Sequence, residues 1–269
     1  MIKYSILCLF FSLSLTNCSS DLEKEIDGKP IYDAYQVEGG FLLRSLSDNK
    51  VYVYNPDYCQ KEFLPASTFK IVSSIIALEN GIANDKNYAM PWDSTNRALP
   101  IWNQDHTLES AFASSCVPCF QKMVGEIGLN KMQEGVQQLN YGKMDIQANN
   151  LTTFWLTGRS TITPYEQLDF LTKLYRQSYP LKPSTYHHLQ QMMVLATSPE
   201  GVVMKGKSGF AIENGIKIGW LVGFIERPDG ENFVFVNQIT SPVGKLSDEK
   251  FLQARKKIVG DILAQMKVI

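Results

Sequence analysis

Strand-forming segments stand towards both ends of this chain and helical ones fill the space between, and that arrangement restricts the fold more than any other feature. Glu38 to Arg44 and Val51 to Tyr54 are short β-prone runs split by Ser47-Asp48-Asn49, a hairpin signal. Gly201 to Phe210, Ile216 to Glu226 and Asn232 to Thr240 read as further strands, the last two joined by a turn at Pro228-Asp229-Gly230. Between the two groups, apolar residues recur at helical spacing. One predicted helix runs from Pro65 through Ile71, Val72, Ile75, Ile76 and Leu78 to Gly81. Others cover about Thr107 to Ile127, Lys131 to Leu139, Pro164 to Gln177 and Ser184 to Leu195. A last amphipathic helix, Asp248 to Met266, should bury Phe251, Leu252, Ile258, Ile262 and Leu263. The economical closure is an α+β fold: one five-stranded antiparallel sheet joining both ends, flanked by helices, with a helical lobe inserted. Regular βαβ alternation is missing, which weighs against a doubly wound parallel sheet.

The first residues, MIKYSILCLFFSLSLTNCSS, place Lys3 before an apolar run from about Ile6 to Leu15. That run is too short for a bilayer anchor, which needs about 20 apolar residues, and fits a secretory signal peptide. Leu15-Thr16-Asn17-Cys18 resembles a bacterial lipobox, although Asn replaces the usual small residue before the Cys. Residues 1–17 are therefore expected to be removed, with Cys18 as a lipidated first residue and 18–269 as one catalytic domain. The expected location is the bacterial periplasm, with a lipid anchor at Cys18. No later segment has the length and apolarity of a membrane span. With 26 basic against 27 acidic side chains and no basic tract, nucleic acid is not an expected partner. Beyond the leader and Cys18 the cysteines are Cys59, Cys116 and Cys119, and an odd count is not a disulfide framework. Cys116 and Cys119 form a CxxC pair, but no second CxxC exists and His106, His187 and His188 lack metal-ligand spacing. Small buried residues or one structural disulfide are expected ahead of a redox pair, and no metal is expected.

Ser67-Thr68-Phe69-Lys70 is the strongest chemical signal. Ser at i and Lys at i+3 face the same side of a helix, so hydroxyl and amine can meet. A serine nucleophile needs a base, and a lysine amine can serve once its proton is gone. Burial is what removes that proton, since an ordinary lysine has a pKa of about 10.4. Alone the pattern is weak. Ser115-Cys116-Val117 and Lys207-Ser208-Gly209 follow it, however, supplying a second Ser and a second Lys on other elements. No Gly-x-Ser-x-Gly elbow occurs and no His stands in a triad context, so a hydrolytic serine must rely on lysine chemistry. Gly201 to Ser208 also matches the phosphate-loop pattern, but Val202-Val203-Met204 favours a strand and another strand follows, where that loop needs a helix.

These motifs, in order and with their flanks, resemble the class D serine β-lactamases (oxacillinases), within the penicillin-recognising fold. The likeness extends over Phe63 to Ile71, Tyr141-Gly142, Phe154-Trp155-Leu156, Pro164-Tyr165-Glu166-Gln167 and Ile218 to Gly223, spanning roughly residues 38 to 260. One departure is Lys143, where the family usually has Asn after Tyr-Gly. The resemblance implies roles that spacing cannot supply. Ser67 would attack a β-lactam carbonyl and become acylated, with antibiotic resistance as the outcome. Lys70 would be carboxylated by carbon dioxide or bicarbonate and act as general base, held by the Trp155 indole N–H; no other cofactor is implied. The backbone amides of Ser67 and Phe210 would hold the oxyanion. Ser115 would relay a proton, Lys207, Ser208 and Arg255 would bind the substrate carboxylate, and Val117 and Leu156 would cap Lys70. Substrate range would depend on the surroundings of Trp102, Phe112 and Leu221. The rivals are a β-lactam sensor that keeps its acyl group, a peptidoglycan transpeptidase or carboxypeptidase, and an inactive relative. Sensors normally follow a membrane-spanning signalling region.

Overall fold

In the computed structural model, which describes residues 23–269, strands from both ends of the chain meet in one sheet. The signal peptide expected at residues 1–17 and the acceptor Cys18 lie outside the described residues. The chain enters through β1 (Glu23–Glu25), α1 (Lys29–Ala34) and the hairpin β2 (Glu38–Ser45) and β3 (Val51–Tyr54). Then α2 (Pro56–Cys59) and a 3-10 turn (Ala66–Phe69) lead into α3 (Lys70–Glu79). A short strand pair, β4 (Ala89–Met90) and β5 (His106–Thr107), precedes α4 (Leu108–Ala113), α5 (Val117–Ile127) and α6 (Leu129–Leu139). After α7 (Pro164–Tyr175) and α8 (Pro183–Met192), strands β6 (Val194–Thr197), β7 (Val203–Glu213), β8 (Ile216–Glu226) and β9 (Phe233–Pro242) return to the sheet. The helix α9 (Asp248–Gln265) follows.

The sheet order is β1-β3-β2-β9-β8-β7-β6. Its centre is the five expected strands, antiparallel throughout, and β2 joins β9 from Glu38 opposite Thr240 to Ser45 opposite Phe233. Seven strands stand where five are expected, because β1 adds parallel to β3 and β6 adds antiparallel to β7. Neither edge shows a buried alternation: β1 is Glu-Lys-Glu and all four residues of β6 are exposed. Those pairings come from the open ladder of the neighbouring strand, not from local propensity. For the same reason the helix expected over Ser184 to Leu195 stops at Met192, and Val194 and Leu195 belong to β6.

Alternation along the strands divides their side chains between two cores. Leu42, Trp220, Val222, Phe224 and Val236 face the inserted helices, while Phe41, Leu43, Ile225, Phe235 and Ile239 face α9. The α9 stripe buries Phe251, Ala254, Ile258, Val259, Ile262 and Leu263, whereas Leu252, expected there, is only half-buried. Within the insertion, α3 is buried at every residue from Lys70 to Leu78. A helix with no wet face is the centre of a core, so its first residue, a lysine, is surrounded by protein. A second correction concerns Thr107 to Ile127, expected as one helix. The chain breaks it into α4 and α5 at Ser114-Ser115-Cys116, where Ser115 takes a left-handed φ of 51°. Pro118 fits the restart, since proline lacks the N–H that a first turn leaves unused. Cys116 and Cys119 are joined as a disulfide.

Strands β7 and β8 approach so closely that a Cβ on Gly223 would collide with the Lys205 carbonyl oxygen. Gly223→Ala should therefore cost about 2 kcal/mol or more, seen as a lower urea midpoint; an unchanged midpoint would show that the strands can part there.

Candidate active site

Ser67 lies in the 3-10 turn and Lys70 opens α3, and Lys70 Nζ hydrogen-bonds Ser67 Oγ at 3.0 Å. Lys70 is fully buried, with Nζ 5.1 Å from the centre of the Phe120 ring. Burial first, then the positive charge of Lys207, hold its pKa well below the ordinary lysine range. Both causes favour the uncharged form of the amine beside Ser67, the form that the spacing argument requires.

The turn carrying Ser67 is braced from several elements. Ala66 takes a left-handed φ of 49°, a strained conformation for a residue with a side chain. Thr68 Oγ1 donates to the Pro65 carbonyl at 2.6 Å, and Gln167 Nε2 donates to Thr68 Oγ1 at 2.9 Å and to the Tyr141 hydroxyl at 2.8 Å. Trp220 Nε1 donates to the Leu64 carbonyl at 2.9 Å. Gln167 and Trp220 lie in segments that the sequence reads as a helix and a strand, Tyr141 in one marked by the resemblance, and all three brace the backbone around Ser67. On the other side β7 presses in: a Cβ on Gly209 would sit 3.2 Å from the Pro65 oxygen and 3.3 Å from Thr68 Cγ2.

Lys207 arrives on β7 with only 3% of its surface exposed, and its Nζ donates to Ser115 Oγ. Ser115, expected within a helix, instead occupies the left-handed break between α4 and α5, which turns it towards the sheet. The Lys207 Nζ also lies 5.3 Å from the centre of the Phe112 ring. Burial, then Arg255 and Lys256, pull the Lys207 pKa down to about 7. Arg255 sits in Arg255-Lys256-Lys257, a run that ordinarily marks a solvated helix face, yet its guanidinium is buried and Nη1 donates to the Gly209 carbonyl at 2.6 Å. Burial lowers its pKa to about 10. Lys70, Lys207 and Arg255 have no carboxylate partner among the described residues, so the site is a positive pocket without internal neutralisation.

A cleft of about 1020 Å³ opens over Lys207 and Ser208, walled by Phe112, Leu195, Met204 and Leu221, with Lys256 at its side. Leu195, Met204 and Lys256 carry no signal in the sequence; strand β6 alone explains why an exposed leucine lines the site. Trp102 stands apart from this wall, and its Nε1 donates to the Ser114 carbonyl at 3.1 Å. Trp155 is buried against the stacked ring of Phe69, centroids 5.7 Å apart, and its indole N–H has no acceptor among the described residues. Leu156 packs half-buried on the same core, and Val117 begins α5, also half-buried. The Phe210 ring packs on Phe251. Lys143 points away from the nucleophile: its side chain pairs with Glu62 and its backbone exchanges two 2.8 Å hydrogen bonds with Thr161. Gly201 to Ser208 runs into β7 with β8 behind it, so no phosphate loop forms. The folding brings one ring nitrogen of His106 and both sulfurs of Cys116 and Cys119 within 4.8 Å of one another, a grouping hidden in the spacing. The two sulfurs are joined covalently, which leaves no thiolate for a metal.

A family model for the penicillin binding protein transpeptidase domain matches residues 25–264. The β-lactamase OXA-48 of Klebsiella pneumoniae is 30% identical over 238 residues, covering 88% of this chain and 87% of that protein. A class D β-lactamase structure from Sebaldella termitidis superposes with a TM-score of 0.86 at 29% identity, over 92% of this chain and 98% of the other. The regulatory protein BlaR1 of Bacillus licheniformis is 33% identical over 212 residues, 78% of this chain, but the chain spans only 35% of that protein's length. The chain belongs to the class D serine β-lactamase family. Membership agrees with the order of the three motifs, and with a sheet joined through β2 and β9.

The Lys207 charge has a direct thermodynamic consequence. Folded Lys207 loses its proton near pH 7, while in the unfolded chain it stays charged to about pH 10.5. Burial therefore costs stability fully below pH 7, and the cost fades between pH 7 and about 10.5. Lys207→Met should stabilise the fold at pH 6, on the order of a few kcal/mol, and much less at pH 10. Urea titrations at both pH values check this, and an equal gain at both would contradict it.

Proposed function

We propose that this protein hydrolyses the β-lactam amide of penicillin-type antibiotics through an acyl-enzyme on Ser67. The observation that carries the reading is the fully buried Lys70 amine, its pKa held down by that burial, 3.0 Å from the Ser67 hydroxyl. Ser67 gives its proton to the base at position 70 as Oγ bonds the lactam carbonyl carbon. The backbone N–H groups of Ser67 and Phe210 would hold the oxyanion. Opening the ring breaks the C–N bond, and Ser115, hydrogen-bonded to Lys207, hands a proton to the departing nitrogen. Lys207, Ser208 and Arg255 bind the substrate carboxylate, an assignment supported by a cationic cleft that lacks an internal counter-ion. Val117 and Leu156 keep water from Lys70.

The residues around Lys70 fit carbon dioxide as its activator. A desolvated neutral amine can take it up, and the buried Trp155 N–H is a donor without an acceptor, suited to the resulting anion. Carboxylated Lys70 would supply an anionic base for acylation and for the hydrolytic step alike. Export to the periplasm with a lipid at Cys18, and resistance to penicillins as the cellular result, belong to the same proposal.

Lys70→Ala should leave Ser67 trapped or unreactive, with turnover down by about a hundredfold or more. Turnover of a chromogenic cephalosporin should fall when bicarbonate is stripped or the pH lowered, and equal rates with and without bicarbonate would refute carboxylation. A single equivalent of product and a lasting acyl-enzyme would instead assign the protein a sensing role. Trp155→Ala should raise the bicarbonate concentration needed for half-maximal rate, while an unchanged requirement would make Trp155 a packing residue alone.

A further inference from the structure

We propose that Cys116–Cys119 is a reversible thiol–disulfide site, exchanging with small dithiols and setting the position of Ser115. The proposal rests on the reading of Ser115 as part of the acylation machinery. Its first support is the environment of the two sulfurs. Cys116 is fully buried and caps the eleven-residue helix α5, its Sγ accepting from the Cys119 backbone N–H at 3.3 Å. A thiolate there would be stabilised by that N–H and by the positive end of the helix. Cys119 is half-exposed and lines a separate cavity of about 460 Å³ together with Trp92, Trp102, Lys122 and Met123. The two sulfurs are thus unlike: one accessible to attack, the other built to leave.

The chemistry balances with a dithiol as reductant. Its thiolate attacks Cys119 Sγ, the S–S bond breaks, and the electron pair departs on Cys116 Sγ. The second thiol of the reductant then displaces Cys119 and closes the reductant's own disulfide. Two electrons and two protons pass to the protein, leaving two cysteine thiols.

The second support is where the bond lies. It ties Cys116, the residue after Ser115, to the first turn of α5. Ser115 holds a left-handed φ of 51°, a strained conformation for a residue with a side chain. Apart from the disulfide, the break is held by hydrogen bonds that include Cys116 N to Ala111 O at 2.9 Å, Ser115 N to Phe112 O at 3.2 Å, Ser114 N to Ser110 O at 2.9 Å, Trp102 Nε1 to Ser114 O at 3.1 Å and Lys207 Nζ to Ser115 Oγ. Cutting the covalent tie lets Ser115 relax away from Lys207. Cys59 takes no part, being fully buried with its thiol pushed up to about 12 by that burial.

The test holds the full chain at a series of reduced-to-oxidised dithiothreitol ratios, alkylates free thiols and locates them by mass spectrometry. In parallel, the rate at which a fluorescent penicillin labels Ser67 is measured. Cys116 and Cys119 should become alkylated together while the protein is still folded, and labelling should slow about tenfold or more along the same curve. Cys119→Ala should label at the slow rate at every ratio, and Cys59→Ala should follow the parent protein. A pair that stays oxidised until the chain unfolds, or one reduced with no change in labelling, overturns the proposal. So does a Cys119→Ala variant that still responds to dithiothreitol. Failure of the oxidised protein to be labelled at all strikes the serine-acylation reading instead, and the alkylation count still decides whether the pair exchanges.

Discussion

The structure is organised around taking one amine out of water. A lysine gives up its proton near neutral pH only if it loses its water without gaining a carboxylate. Position 70 meets both conditions because α3 is buried all round and the neighbouring charge is Lys207, another cation. Aromatic side chains supply the dry walls. Phe69 stacks on Trp155 and meets Tyr141 and Phe154 edge-on, while Phe120 lies under the amine itself. These rings are stiff as well as apolar, so the enclosure that desolvates Lys70 also fixes the turn that presents Ser67.

The cations of the site act on one another. Burial first and then Lys207 depress Lys70, and burial first and then Arg255 and Lys256 bring Lys207 down to about 7. Lys207 therefore stands near its own titration point, where a small change in field moves a proton. A carboxylate entering the cleft would favour the charged form of Lys207, while its negative charge would cancel part of the field that Lys207 exerts on Lys70. Binding can thus charge the outer lysine at little expense to the neutrality of the inner one. An internal carboxylate, which neither lysine has among the described residues, would raise the pKa of both.

Much of this was legible in the sequence, and the boundary is physical. The five central strands, α7 and α9 show up because each has an apolar period that burial on one or both faces enforces. Ser67 and Lys70 show up because helical spacing alone makes them neighbours. The edge strands β1 and β6 were hidden, since they pair by backbone only and their side chains stay exposed. The break at Ser115 was hidden as well, because a left-handed residue without glycine leaves no local signature. Arg255 looked solvated in its Arg-Lys-Lys run; only the approach of β7 puts Gly209 O within reach of its guanidinium. The CxxC pair was visible, but which sulfur is buried and which is open depends on the break before α5.

Strain at the two serines follows a common rule with different means. Ala66 immediately precedes Ser67, and Ser115 is itself the second serine; both are non-glycine residues in the left-handed region. Glycine would relieve either strain, yet it would also enlarge the unfolded ensemble and soften the backbone beside a reacting group. A residue with a Cβ stays in that conformation only when its surroundings over-determine it. At Ala66 the constraint is distributed over Thr68, Gln167, Tyr141 and Trp220, side chains from four separate segments, so no single contact controls the turn. At Ser115 it is concentrated in a few local hydrogen bonds and one covalent bond three residues long. A distributed constraint is robust, whereas a concentrated one can be released at one point. Ser67 therefore sits on the rigid part of the site, and Ser115 on the part that a single chemical event can loosen.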